Sequence, residues 1–172
     1  MSLIDLMFKR RSTRKFRDED ISKQDLDLIL HSALLAPTSM NRKPCNFMVV
    51  ERKETLKELS ECKDMGAGLI AGANKAIVVI ADSMIADTWI EDSSIALTYM
   101  HLMATELDIG SCWVQTHLRS KNGKDSEEVV RDILKIDSYY RIVGMLALGY
   151  SDDIPQAHDE SDLDKSKIHF LI

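Results

Sequence analysis

The chain is poor in the residues that punctuate or cross-link a fold, with seven glycines, three prolines and three cysteines among 172 residues. Cys45, Cys62 and Cys112 are far apart, odd in number and without a C-x-x-C pair. That argues against a disulfide framework or a zinc site and for a reduced intracellular chain. With so little glycine and proline there is no linker, repeat or low-complexity tract, and one helix-rich domain over 1–172 is expected. No window approaches the roughly 18 uncharged apolar residues that a membrane span needs. The N-terminal "MSLIDLMFKRR" meets a charge too early for a signal peptide, so a cytoplasmic protein is expected. An excess of positive charge is also missing: 22 Lys and Arg face 28 Asp and Glu, for a net charge of -6. This argues against a nucleic-acid binder working through a large basic face. The five histidines show no metal-ligand spacing, and neither a G-x-S-x-G elbow nor a paired catalytic carboxylate stands out. No metal and no side-chain acid, base or nucleophile is therefore named.

Against that acidic background, "FKRRSTRKF" packs five positive charges, a serine and a threonine into Phe8 to Phe16. A guanidinium donates two parallel hydrogen bonds and never loses its charge, and hydroxyls add short donors. Arg10, Arg11, Ser12 and Arg14 therefore suit a phosphate, although a solvated basic loop is the plainer reading. A second polar loop, "APTSMNRKPCNF", gathers Thr38, Ser39 and Asn41 between a helix stop and a strand, where turn chemistry alone could explain them. "MGAGLIAG" is not a dinucleotide loop, because its glycines precede a strand instead of following one. Cys112 beside Trp113 reads as a buried apolar thiol.

The periodicity predicts a helix over "ISKQDLDLILHSALLAP", capped by Ser22 with Asp25, striped by Leu26, Ile29, Leu30, Ala33 and Leu34, and ended by Pro37. "FMVVE" reads as a short strand and "TLKELSECK" as a brief amphipathic helix. "KAIVVIAD" and "RIVGMLALGY" are near-continuous apolar runs, hence buried strands. "SSIALTYMHLMAT" carries no formal charge unless His101 protonates, so it forms a helix buried centrally or in an interface. "GSCWVQTH" is a turn into a strand and "DSEEVVRDILK" a capped helix. The final "KIHFLI", apolar behind the acidic "SDDIPQAHDESDLD", needs a docking place, either a partner's sheet or its own domain.

"RRSTRKF", "APTSMNRKPCNF", the uncharged helix running into "LDIGSCWV", and "VGMLALGY" resemble, in order and spacing from about Leu6 to Tyr150, the FMN-dependent nitroreductase family. The resemblance implies an α+β fold, with a mainly antiparallel central sheet flanked by helices, in an interlocked homodimer with two interface flavin sites. It implies that the arm 151–172 docks on the partner subunit. Arg10, Arg11 and Ser12 match positions that hold the FMN phosphate and ribityl chain, and Arg14 matches a basic position near the pyrimidine edge. Pro37, Thr38, Ser39 and Asn41 match the loop reaching the flavin from the second subunit, and Trp113, Val114 and Gln115 the segment beside the ring. The implied activity is ping-pong transfer from NADH or NADPH, through FMN, to a small-molecule acceptor such as a nitroaromatic or quinone. A flavin-binding or sensing protein without turnover is the alternative. Three departures stand out: the chain is short for the family, lacking the long helical insertion of larger members, and two local stretches differ. Acidic residues occupy 151–164 where many relatives carry cations, with only Lys165 and Lys167 beyond, and "DMGAG" lacks the polar or basic residue some relatives place there.

Overall fold

The computed structural model describes residues 1–153 and 155–171. Helices begin where side chains can take up orphan backbone N–H groups. Ser2 accepts from the Asp5 N–H to start α1 (Leu3–Lys9), and Ser22 accepts from the Asp25 N–H to start α2 (Lys23–Leu35). α2 ends just before Pro37, as expected. Its core-facing stripe is narrower than the sequence predicts: Leu26, Ile29 and Ala33 are buried, whereas Leu34 is 66% exposed. α3 (Lys53–Leu59), α4 (Trp89–Glu106) and α5 (Ser126–Leu134) complete the helices. Among the described residues no helix is long and apolar enough to cross a membrane.

The strands are β1 (Cys45–Val50), β2 (Lys75–Asp82), β3 (Gly110–Gln115), the two-residue β4 (Ser120–Lys121) and β5 (Lys124–Asp125), and β6 (Tyr140–Gly149). β4 and β5 form a small ribbon; the other four make an antiparallel sheet in the order β1-β2-β6-β3. Both faces are covered, which explains why the central strands β2 and β6 read as unbroken apolar runs. Ile77, Val79 and Ala81 meet α2 and α4 on one face; Ala76, Val78 and Ile80 meet α3, α5 and the 3-10 turn Gly68–Gly72 on the other. On β6 the helix-facing parity changes: Val143 shares a cluster with Leu146 and Leu148, and Ile142 with Met145 and Ala147. Val78 pairs with Met145 but Ile80 with Ile142, so β6 carries one extra residue there, a β-bulge. The bulge is what keeps both ends of β6 in register with two different cores.

Glycines at the free end of this sheet let other groups come close. Gly110 and Gly149 are cross-strand partners. A Cβ at 110 would lie 2.8 Å from Thr13 Cγ2, and one at 149 would lie 2.8 Å from Phe16 Cδ1, so the N-terminal loop packs flat against β3 and β6 only because both are glycine. Beside the bulge, a Cβ at Gly144 would lie 2.7 Å from the Val114 carbonyl oxygen and 2.9 Å from Trp113 Nε1.

β3 and the bulge are therefore packed to the limit around Trp113. Gly144→Ala should cost about 1–3 kcal/mol in chemical denaturation, with a matching change in Trp113 fluorescence. A variant of wild-type stability would show that the strand pair can relax.

Candidate functional site

The basic loop is attached to the sheet as a partial extra strand. The Thr13 N–H donates to the Ser111 carbonyl at 2.9 Å, and Ser12 forms a parallel bridge with Ser111. α1 stops at Lys9, so Arg10 caps it and the next residues run extended along the outer edge of β3. This attachment divides the predicted arginines. Arg10 turns inward, with Nη1 3.3 Å from His101 Nε2 on α4, while Arg14 Nη1 donates to the Ser12 carbonyl at 3.2 Å. Arg11 instead donates to the Gln156 carbonyl in the C-terminal segment and lines a separate cleft with Lys9, Thr13, Thr105, Asp108 and Ser151.

The acidic stretch after β6 lies alongside the basic loop. The Arg17 N–H donates to the Tyr150 carbonyl at 2.8 Å, Arg17 pairs with Asp152 at 2.7 Å, Lys15 with Asp153 at 2.9 Å, and the His158 N–H reaches the Phe8 carbonyl at 2.9 Å. These acids take up the outer cations and leave Arg10 and Arg14 without a carboxylate partner among the described residues. Beyond the stretch, Ile168, Phe170 and Leu171 are exposed and form no strand; Lys165–Lys167 is a 3-10 turn. Ile168, Phe170 and Leu171 are thus left uncovered by the rest of the described chain. Ile154 and Ile172 of the expected arm lie outside the described residues.

On β3, Trp113 Nε1 donates to Gln115 Oε1 at 2.9 Å, and Gln115 Nε2 donates to the His117 carbonyl at 3.2 Å. Val114 points into the core on the α3 and α5 face. The Gln115 carbonyl accepts from Lys63 Nζ at 2.8 Å. Lys63 is a basic residue that sequence reading missed by starting one residue too late, at the Asp64 of "DMGAG". It is held in place because the Asp64 N–H donates to the Ser120 carbonyl and Asp64 accepts from the Asn122 N–H, each at 2.9 Å. Its pKa is lowered, mainly by burial.

Cys112 sits among these groups. Burial raises its pKa, against the lowering influence of Arg14, Ser12, Lys63 and Arg10. Cys45 and Cys62 are also raised, both chiefly by burial. All three thiols stay protonated near neutral pH, so none is an activated nucleophile. His101 is buried, with Nδ1 2.5 Å from Ser111 Oγ, and its pKa is lowered to about 4, first by burial and then by Arg10.

The second predicted group lies elsewhere. Pro37, Thr38, Ser39 and Asn41 precede β1, at the opposite edge of the sheet from β3. Thr38 Oγ1 accepts from the Lys43 N–H at 3.1 Å, and the Ser39 N–H donates to the buried Asp92 at 3.0 Å. Met40, Asn41 and Lys43 all have positive φ, a strained run for residues with a Cβ. Three strand spacings separate the two edges, about 14 Å. Within one chain the structure thus brings Arg10, Ser12, Arg14, Trp113, Val114 and Gln115 together and leaves residues 37–41 apart.

A buried carboxylate supports the exit of β3. Glu127 is 1% exposed; it accepts from Arg141 Nε and Nη2 at 2.9 Å and from the Ile142 N–H at 3.0 Å, and its Oε1 is 2.6 Å from His117 Nδ1. Nothing in the local sequence pattern distinguishes it from the exposed Glu128 beside it. Among the described residues no group of His, Cys, Asp or Glu is placed to hold a metal ion.

The frame is thus an antiparallel α+β fold whose β3 edge carries Arg10, Arg14 and Lys63 without a carboxylate partner among the described residues. Comparison with known proteins makes the class specific. The sequence profile of the Nitroreductase family matches residues 7–64 and 62–150. A solved structure from Clostridium difficile R20291, named an FMN-dependent nitroreductase, superposes with a TM-score of 0.96 at 42% identity, covering 98% of each chain. A protein of Archaeoglobus fulgidus, whose name proposes an NADH dehydrogenase or NAD(P)H nitroreductase, is 33% identical over 95% of this chain and 94% of its own. A nitroreductase-like protein from Desulfovibrio desulfuricans, solved with FMN, shares the fold at a TM-score of 0.75 and 21% identity over 91% and 90% of the two chains. The chain belongs to the nitroreductase family and is an oxidoreductase.

Since the folded protein keeps His101 neutral down to about pH 4, while an unfolded chain protonates it near 6.5, unfolding takes up a proton between those values. His101 should therefore cost no stability above about pH 6.5, and stability should fall as the pH drops toward 4, by on the order of 3 kcal/mol. Urea titrations between pH 4 and 7 measure it. His101→Gln should flatten that part of the profile, and an unchanged slope would assign it to other groups.

Proposed function

We propose that two copies of this chain form an FMN-dependent oxidoreductase that takes electrons from NADH or NADPH and passes them to a nitroaromatic, quinone or similar small acceptor by a ping-pong mechanism. The observation that carries the reading is the sorting of charge at the β3 edge. Lys9, Lys15 and Arg17 each have a carboxylate partner, whereas Arg10, Arg14 and Lys63 have none among the described residues. Unneutralised guanidinium and ammonium groups beside hydroxyls are the donor set a phosphate monoester and an electron-rich ring edge require. The residues present therefore fit FMN.

Arg10 and Ser12 would hold the phosphate and ribityl chain; Arg11, turned toward Gln156, would join them only by releasing that carbonyl. Arg14 would lie toward the pyrimidine edge. There, and at Lys63, fixed positive charge stabilises negative charge gained on reduction. Trp113, Val114 and Gln115 would border the ring. FMN, when bound, supplies the two-electron chemistry that no side chain here provides. Residues 37–41 sit at the wrong edge to reach the same ligand within one chain, which supports a homodimer in which a second copy contributes that loop. The exposed Ile168, Phe170 and Leu171 suit docking of the arm on the partner, and the reduced thiols suit the cytoplasm.

Purified protein should show flavin absorbance in the visible, or acquire it with added FMN, and should oxidise NADH or NADPH with menadione as acceptor. Arg14→Ala should weaken FMN binding about tenfold or more and lower turnover, without changing the far-UV circular dichroism. Protein that takes up no FMN would overturn the reading; bound flavin that neither nicotinamide reduces would leave a sensing role.

A further inference from the structure

Arg10 and His101 are 91 positions apart in sequence and meet where the N-terminal loop crosses α4. Guanidinium can only donate, so the Nε2 it faces must carry a lone pair. A neutral imidazole with bare Nε2 has its proton on Nδ1, and that N–H then donates to Ser111 Oγ, 2.5 Å away. His101 is 7% exposed, and Ser93 to Thr105 carries no Asp, Glu, Lys or Arg. The Thr105 hydroxyl donates to the His101 carbonyl at 2.9 Å, fixing the backbone at the same turn. Ser111 also supplies the carbonyl that anchors Thr13. Through Ser111 and His101, one sheet edge therefore fixes both the main chain of the basic loop and the head of its first arginine.

The neighbouring cations are fixed differently. Lys9, Lys15 and Arg17 are held by Asp108, Asp153 and Asp152. A carboxylate orients a cation and neutralises it at once; a neutral imidazole only orients it. Orientation set in advance lowers the entropy a ligand must remove, and an intact charge keeps the attraction for an anion.

We propose that His101 is a positioning residue for the anionic ligand: a neutral acceptor that aims the Arg10 guanidinium while leaving its charge for a phosphate. The proposal rests on the reading that Arg10 faces the phosphate of FMN.

Three variants separate aiming from neutralising. His101→Gln keeps an acceptor near the Nε2 position, His101→Phe keeps the bulk without an acceptor, and His101→Glu supplies an acceptor that carries charge. In fluorescence titrations with FMN, the Gln variant should bind within about threefold of wild type and the Phe variant about tenfold more weakly. The Glu variant should bind at least as weakly as Phe and lose much of the salt dependence that wild type and Phe share. A purely structural role would instead weaken binding in step with lost thermal stability and leave the salt dependence alone. Wild-type affinity in the Phe variant, or wild-type salt dependence in the Glu variant, would overturn the proposal.

Nitrogen-15 spectra of the apo protein near pH 7 test the geometry without FMN. They should show His101 protonated at Nδ1 and bare at Nε2; the opposite tautomer would overturn the role of His101. A wild-type protein that binds no FMN but shows the expected tautomer would overturn the functional reading and leave the arginine-aiming contact standing, with inorganic phosphate as the probe for the same variants.

Discussion

The hydrogen bond from the Thr13 N–H to the Ser111 carbonyl decides where this chain can use its positive charge. It lays the residues after α1 along β3, and an extended backbone sends alternate side chains to opposite sides. Arg10 goes to His101 and Arg11 to the C-terminal segment as a result. The glycine pair at 110 and 149 lets Thr13 and Phe16 sit close enough for that attachment, and the bulge in β6 keeps the supporting strands in register with both cores.

Charge is sorted around this edge by two opposite devices. Exposed acids after β6 neutralise Lys15 and Arg17, and exposed pairs of that kind contribute little to stability individually. Their larger effect is local: beside β3 the outer cations are neutralised, while Arg10, Arg14 and Lys63 keep no carboxylate partner among the described residues. Behind that edge, Glu127 works in the other direction, as a fully buried carboxylate bound by Arg141, the Ile142 N–H and His117. It ties the start of α5, the start of β6 and the exit of β3 together, so the Gln115–His117 stretch is held from behind by a group whose partners leave it no alternative position.

What could be read from the sequence was local. The Ser22 cap, the stop before Pro37 and the bounds of "KAIVVIAD" depend on neighbours a few residues away, and the structure reproduces them. Arg10, Ser12, Arg14, Trp113 and Gln115 were visible as residue types in motifs. Their partners were not, because His101, Lys63 and Glu127 act across chain separations that no pattern encodes. Some signal existed in one case: His101 is the one histidine in a helical stretch free of Asp, Glu, Lys and Arg. Leu34 misled in the opposite sense: its helical spacing matches the core stripe, but α2 turns it outward, onto a surface that one chain leaves uncovered.

The loop at residues 38–41 and the arginines at 10–14 flank opposite edges of one sheet. In a two-fold pair of the kind proposed, joint sites come in twos, and each draws on both polypeptides. Impairment is then shared across chains: a copy lacking its guanidinium groups and a copy with a ruined turn, each useless with its own kind, would rebuild one whole centre when mixed. Such a protein would behave genetically as a complementing pair of alleles, and half the sites of a mixed population would be the most that damaged copies could recover.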